Sequence, residues 1–159
     1  KRLRGLLTDK RMRRKFKANK KVRNATTKVY KGIKFRSKLE LFTYMKLEDA
    51  GIKALYEKRK FTLMEGFKYE QQSIEPSNKR ATKGEYINNT DKVRDITYTP
   101  DFVDPNGKWV IEVKGFANDV FPLKWKLFKH MLHHHPDPPI LYLPKNQKQV
   151  LETIELLKK

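Results

Sequence analysis

Asp101 and Glu112 flank a short turn, and Lys114 follows Glu112 by two residues, in Tyr98-Thr99-Pro100-Asp101-Phe102 and Val110-Ile111-Glu112-Val113-Lys114-Gly115. Two carboxylates a few ångströms apart repel, so one pKa rises unless a positive charge offsets the pair. A hard cation such as Mg²⁺ provides that offset, taking one or two carboxylates together with waters and substrate phosphate. It lowers the pKa of a bound water and neutralises charge on a phosphate under attack. A lysine on the same face can orient that water and add positive charge as the transition state develops. These residue types therefore suit metal-dependent phosphodiester hydrolysis. The plainer alternative is a pair of ordinary strand acids, with Glu112 and Lys114 forming a solvated ion pair worth less than about 1 kcal/mol.

The turn decides whether the three side chains meet. Asp104-Pro105-Asn106-Gly107 carries the type I pattern, with Asp first, Pro second and Gly fourth. Pairing Val103 with Lys108 then sets Phe102 against Trp109, Asp101 against Val110 and Pro100 against Ile111. Strand alternation gathers Phe102, Trp109, Ile111 and Val113 on one apolar face, and Asp101, Glu112, Lys114, Val103 and Val110 on the other. Asp101 and Glu112 become diagonal neighbours. A one-residue slip would bury Asp101 on the apolar side, at a cost. The Val113 carbonyl is a further candidate ligand.

Around this hairpin the sequence predicts helices over about 38–50, 120–134 and 146–158. Ser37 with Glu40 makes a capping-box start for the first, and Gly51 ends it. Asp119 is placed to cap the second, which carries Pro122 in its first turn and Phe121, Trp125, Phe128 and Leu132 on one stripe. In the third, Val150, Ile154 and Leu157 point inward. Strands are expected over about 60–67, with Phe61, Leu63 and Phe67 on one face, over 94–103 and 108–114 as a pair, and over 139–143. Residues 70–92 are polar and read as a long loop or insertion. The order α-β-β-β-α-β-α is that of a single α/β layer domain.

The charge is lopsided. The 159 residues carry a net +19, yet up to Lys38 there are 17 Lys/Arg against one acid, Asp9, and beyond it 20 basic against 17 acidic residues. Residues 1–28 thus read as a basic arm, disordered or helical on a partner, and 29–159 as the folded domain. Such an arm gains free energy by displacing counterions from phosphates. Arg11, Arg13, Arg14, Lys15, Lys17, Lys20 and Lys21 are its candidate nucleic-acid contacts. No stretch approaches the roughly 18 apolar residues of a membrane span, and no apolar signal segment is visible. The absence of cysteine excludes disulfides and thiolate metal sites and suits an intracellular home.

At Pro100-Asp101 and Glu112-Val113-Lys114 the chain resembles the PD-(D/E)XK nuclease superfamily. With Phe35-Arg36-Ser37-Lys38-Leu39-Glu40 and the motif's flanks, it is most similar to small phage-encoded resolvase-like endonucleases and transposon-type endonuclease subunits. The resemblance covers about residues 29–157. It implies a restriction-endonuclease-like α-β-β-β-α-β core, a mixed central sheet flanked by helices. It also implies a Mg²⁺- or Mn²⁺-dependent endodeoxyribonuclease acting on duplex or branched DNA, such as a Holliday junction, in resolvase or nickase fashion. Asp101 and Glu112 would hold the metal, with the Val113 carbonyl and Glu40 as further ligands, and Lys114 would position the water. A homodimer follows by the same analogy, as does a bacterial host cytoplasm or a virion for a phage-encoded protein. A protein partner for the arm is a further expectation. The rival reading is a catalytically silent nucleic-acid-binding or packaging protein with the same fold.

Glu40 has two readings, a metal ligand from the first helix or the third-position carboxylate of a capping box. Lys124, Lys126 and Lys129 lie on or beside the polar side of the second long helix as phosphate contacts or a solvated face, and Lys124 and Lys126 are the preferred contacts. His130, His133, His134 and His135 invite a zinc reading. Three consecutive histidines cannot all face one ion from a helix, so a helix terminus is expected instead. Trp109 and Trp125 are expected in the core rather than as base-stacking platforms, and Tyr98 in packing.

Overall fold

The computed structural model describes residues 27–115 and 120–159. The arm and its seven candidate contacts lie outside the described residues, as does Asp119 with its expected cap. The elements are β1 (Lys28–Tyr30), β2 (Ile33–Phe35), α1 (Lys38–Asp49), β3 (Leu55–Tyr56), β4 (Phe61–Met64), β5 (Ile74–Pro76), β6 (Tyr86–Asn88), β7 (Ile96–Tyr98), β8 (Phe102–Val103), β9 (Trp109–Ile111), α2 (Phe121–His133), β10 (Ile140–Tyr142) and α3 (Gln147–Leu157). The result is a mixed α/β fold around a mixed four-stranded sheet, β10-β9-β8-β3, in which only β10 and β9 are parallel. The parallel pair is joined through α2, as parallel neighbours require a long crossover.

Alternation along the sheet strands makes two cores. Phe102, Trp109, Ile111 and Val113 pack with Phe35 and Leu47 from the α1 side and Val150 and Ile154 of α3. Val103 and Val110 turn the other way, onto Phe121, Trp125, Phe128 and Leu132 of α2. Both tryptophans are buried, as expected. The helices form close to their predicted bounds. Ser37 Oγ accepts the Glu40 amide at 3.1 Å, and Asn146 Oδ1 accepts the Gln149 amide at 3.0 Å. Gly51 closes α1 at φ +70°, its amide on the Glu48 carbonyl at 2.9 Å, a left-handed C-terminal turn that glycine adopts without strain. His130 and His133 stand in the last turn of α2, with His134 as its C-cap.

Four expectations are corrected. The first is the hairpin register: Phe102 pairs with Ile111 and Val103 with Val110, two residues from the predicted pairing. The type I turn does form, with the Gly107 amide on the Asp104 carbonyl at 2.9 Å, but Asp104 itself then pairs, its amide on the Trp109 carbonyl at 3.0 Å. Asp104 Oδ2 takes the Lys108 amide at 2.9 Å, so Lys108 is held in the loop and is lost to Val103. A shift of two preserves alternation, and the faces sort as predicted.

Second, the predicted strand 94–103 is two strands. Pro100 lacks an amide and interrupts the ladder, so β7 pairs with β4 in a separate two-stranded sheet while β8 enters the main one. Third, β3 is a main-sheet strand where no strand was predicted; two residues are too few to show a period. Fourth, residues 70–92 hold the β5–β6 hairpin and a 3₁₀ turn at Arg80–Thr82. Little of that hairpin is buried, so no alternation marks it. Phe61 and Leu63 are half-buried against the α2 core, as expected, but Phe67 is exposed.

Candidate active site

The corrected register brings the two carboxylates closer than predicted. One step beyond the Phe102–Ile111 pair, Asp101 stands opposite Glu112 instead of diagonal to it. Each is fixed from the backbone of the other strand: the Val113 amide donates to Asp101 Oδ2 at 2.7 Å, and the Asp101 amide to Glu112 Oε2 at 3.3 Å. The neighbouring strands clamp this end. The Glu57 amide holds the Asp101 carbonyl at 2.9 Å, while the Glu112 and Lys114 amides reach the Tyr142 and Pro144 carbonyls, each at 3.0 Å. Val113 thus meets the site through its amide, where its carbonyl had been the expected contact.

Both carboxylates are buried, Glu112 to 2% exposure and Asp101 to 8%. Tyr98 donates its hydroxyl to Glu112 Oε2 at 2.6 Å, and Lys114 Nζ reaches Glu112 Oε1 at 2.8 Å. Burial pushes the Asp101 pKa up to about 8, reinforced by the charges of Glu112 and then Glu40, and countered by the Val113 amide and Lys114. Burial likewise raises the Tyr98 phenol, with Glu112 beside it. Tyr98 therefore stays a donor.

Glu40 stands in the first turn of α1, where its capping reading placed it. Its amide is capped by Ser37, and its Oε2 turns back to the Arg36 amide at 3.0 Å, one residue earlier than a capping box would place it. The same oxygen accepts the Tyr56 hydroxyl at 2.6 Å. The carboxylate is buried and close enough to act on Asp101, but it does not line the cleft that Asp101 and Glu112 share. Among the described residues, no group of three or more His, Cys, Asp or Glu side chains is arranged to hold a metal ion.

That cleft, about 330 Å³, is rimmed by Arg36, Lys114 and Lys124. Lys124, half-buried, donates to the Thr97 carbonyl at 3.0 Å, and Arg36 pairs with Glu57. Lys126 is exposed and turns into an adjacent cleft. Sequence reasoning missed Tyr98 as a partner of Glu112, Tyr56 as a partner of Glu40, and Arg36 at the rim. In an uninterrupted strand, Tyr98 would share the face of Phe102, away from Glu112. The break at Pro100 swings it into the α2 core, and no local signal marks that switch.

The donor chemistry fits a hard divalent cation. Among the described residues, three buried carboxylates lie near one another, Lys114 is the one cation bonded to them, and Asp101 Oδ1 has no hydrogen-bond partner. Asp101 and Glu112 are the two that face the cleft.

No helix among the described residues is long and apolar enough to cross a membrane. Neither the curated proteins nor the solved structures contain a match to this chain. One family model does match, over residues 13–137, and it spans α1, the hairpin and α2. By that match the chain belongs to the DUF1064 family, described as a protein of unknown function.

Proposed function

We propose that this protein is a metal-dependent endonuclease of the PD-(D/E)XK type, hydrolysing phosphodiester bonds in DNA. The observation that carries the reading is the opposition of buried Asp101 and Glu112 across the end of the β8–β9 ladder, with Lys114 on Glu112 and a cationic rim around their cleft. Burying two facing carboxylates is unfavourable unless a proton, a cation or hydrogen-bond donors offset their charge. The mixed four-stranded sheet with helices on both faces is compatible with the restriction-endonuclease-like core that the resemblance implies.

Asp101 and Glu112 would hold Mg²⁺ or Mn²⁺, which when bound supplies a polarised water and a counter-charge for the scissile phosphate. The chain's own groups do the rest. Tyr98 and the Asp101 amide fix one oxygen of Glu112, and the Val113 amide fixes one of Asp101, so both carboxylates are aimed before substrate arrives. Lys114 positions the attacking water, and Arg36 and Lys124 hold non-bridging phosphate oxygens. The water gives up a proton to solvent as its oxygen bonds to phosphorus, the bond to one ester oxygen breaks, and the leaving oxygen takes a proton from solvent.

The test is Mg²⁺- or Mn²⁺-dependent cleavage of duplex, flapped and four-way DNA by the wild-type chain and by Asp101→Asn. Wild-type cleavage that falls at least 100-fold in Asp101→Asn, with DNA binding kept, supports the reading. Binding without cleavage in either protein would replace it with a silent DNA-binding role, a reading favoured by the engagement of both Glu112 oxygens with Tyr98 and Lys114.

A further inference from the structure

A second cleft of about 550 Å³ continues the first, and Lys114 and Phe121 line both. Its wall is apolar, built from Phe121, Pro122, Trp125 and Leu143, and Lys126, Lys129 and Lys145 stand around it. Phe121 and Trp125 are stacked, with centroids 5.8 Å apart and planes at 26°. Lys114 Nζ lies 4.6 Å from the Phe121 centroid and Lys129 Nζ 5.6 Å from that of Trp125. Among the described residues, no carboxylate lines the cleft. Lys126, Lys129 and Lys145 are exposed and form no salt bridge with any described residue.

We propose that this cleft binds one unstacked nucleotide of a single strand, the neighbour of the phosphate held between Asp101, Glu112 and Lys114. The proposal rests on the nuclease reading for the strand's path, but not for the binding itself. The volume is within the range of clefts that take small ligands, about 300–1,000 Å³. An apolar aromatic wall with a cationic rim is the combination that binds single strands, through base contact and phosphate attraction. Inside a duplex the base faces are covered, so only a nucleotide out of the stack can use the wall. On entry the base packs on Pro122, Leu143 and the small exposed parts of Phe121 and Trp125, and the Lys129 ammonium moves to its phosphate. An acidic peptide would meet the same cations but has no flat face for the wall. The substrate class that follows is DNA with an unpaired nucleotide beside the cut, as at a flap or a branch.

The experiment uses the full chain without divalent cation. A single-stranded oligothymidylate of six residues, with 5-iodouracil at one position, is photocrosslinked and the adduct located by mass spectrometry. The expected adduct lies on the Phe121–Trp125 segment. A fully paired duplex of the same sequence should crosslink there at least tenfold less, and Lys129→Glu/Lys145→Glu should lower the single-strand yield about tenfold. Adducts confined to other segments, an equal yield from duplex, or no effect of the charge reversals would overturn the proposal. Oligoglutamate that competes as well as oligothymidylate would also overturn it, pointing to an acidic protein partner. An intact crosslink in a wild-type chain that cleaves no DNA under Mg²⁺ or Mn²⁺ would reject the nuclease reading and leave the nucleotide cleft standing.

Discussion

At the scale of single residues, the site is held by the donors around its carboxylates. The Tyr98 hydroxyl on Glu112 is a short bond inside the core, and its loss leaves Glu112 Oε2 with the 3.3 Å contact from the Asp101 amide. Removing a donor from a buried acceptor costs about 1–3 kcal/mol. Tyr98→Phe should lower stability by that amount in denaturant titration and weaken Mg²⁺ binding in calorimetry. Unchanged Mg²⁺ affinity would reduce Tyr98 to a packing residue. Asp101 titrates in the opposite sense from most surface carboxylates, because burial and two like charges raise its folded pKa to about 8 from an ordinary value near 4. Its contribution to stability is therefore complete below the ordinary carboxylate range and lost as pH rises toward about 8. In EDTA, the wild-type melting temperature should fall between about pH 4 and pH 8 more steeply than that of Asp101→Asn. Added Mg²⁺ should remove much of the difference, and parallel pH profiles for the two proteins would count against a charged, strained Asp101.

At the scale of elements, the β8–β9 turn sets the distance between the carboxylates. Gly107 sits at φ +79°, and a Cβ there would also meet the Arg59 guanidinium at 3.3 Å. Gly107→Ala should cost about 1–2 kcal/mol, the penalty for an L residue in the left-handed region. Because the turn sets the register, cleavage should fall with it; stability lost without activity would show that the strands hold their register unaided. The start of α1 is the second such element. Ser37 caps the helix whose Glu40 adds to the charge at Asp101, and Ser37→Ala should cost about 1 kcal/mol in thermal or chemical unfolding. The α1, α2 and α3 bounds were legible because capping residues and apolar stripes are local signals. The β7–β8 break and β3 were not, since two- and three-residue strands are specified by their partners.

At the scale of the molecule, charge and chemistry occupy different parts of the chain. Twelve Lys/Arg residues fall in positions 1–26, while the carboxylate pair lies on the folded sheet. Deleting residues 1–26 should lower DNA affinity and flatten its dependence on salt, since each phosphate neutralised releases a counterion. Binding isotherms at several salt concentrations would check this, and an unchanged slope would put the phosphate contacts on the folded domain. Two clefts meet at Lys114 and Phe121, so the carboxylate pair opens beside an apolar wall.

From the sequence alone came the carboxylate pair, the lysine beside it, the turn between them, the sorting of side chains to the two sheet faces and the three helices. Each follows from residue type and local period, and face sorting survives a two-residue change of register. The tertiary structure alone decided that Asp101 lies directly opposite Glu112, that Tyr98 and Tyr56 donate to Glu112 and Glu40, and that Glu40 stands behind the cleft. Those outcomes depend on a side chain, Asp104, taking the Lys108 amide, and on proline breaking a strand so that its halves enter different sheets. Such competitions are settled by the packing of distant segments, and that information is not local to any stretch of the sequence.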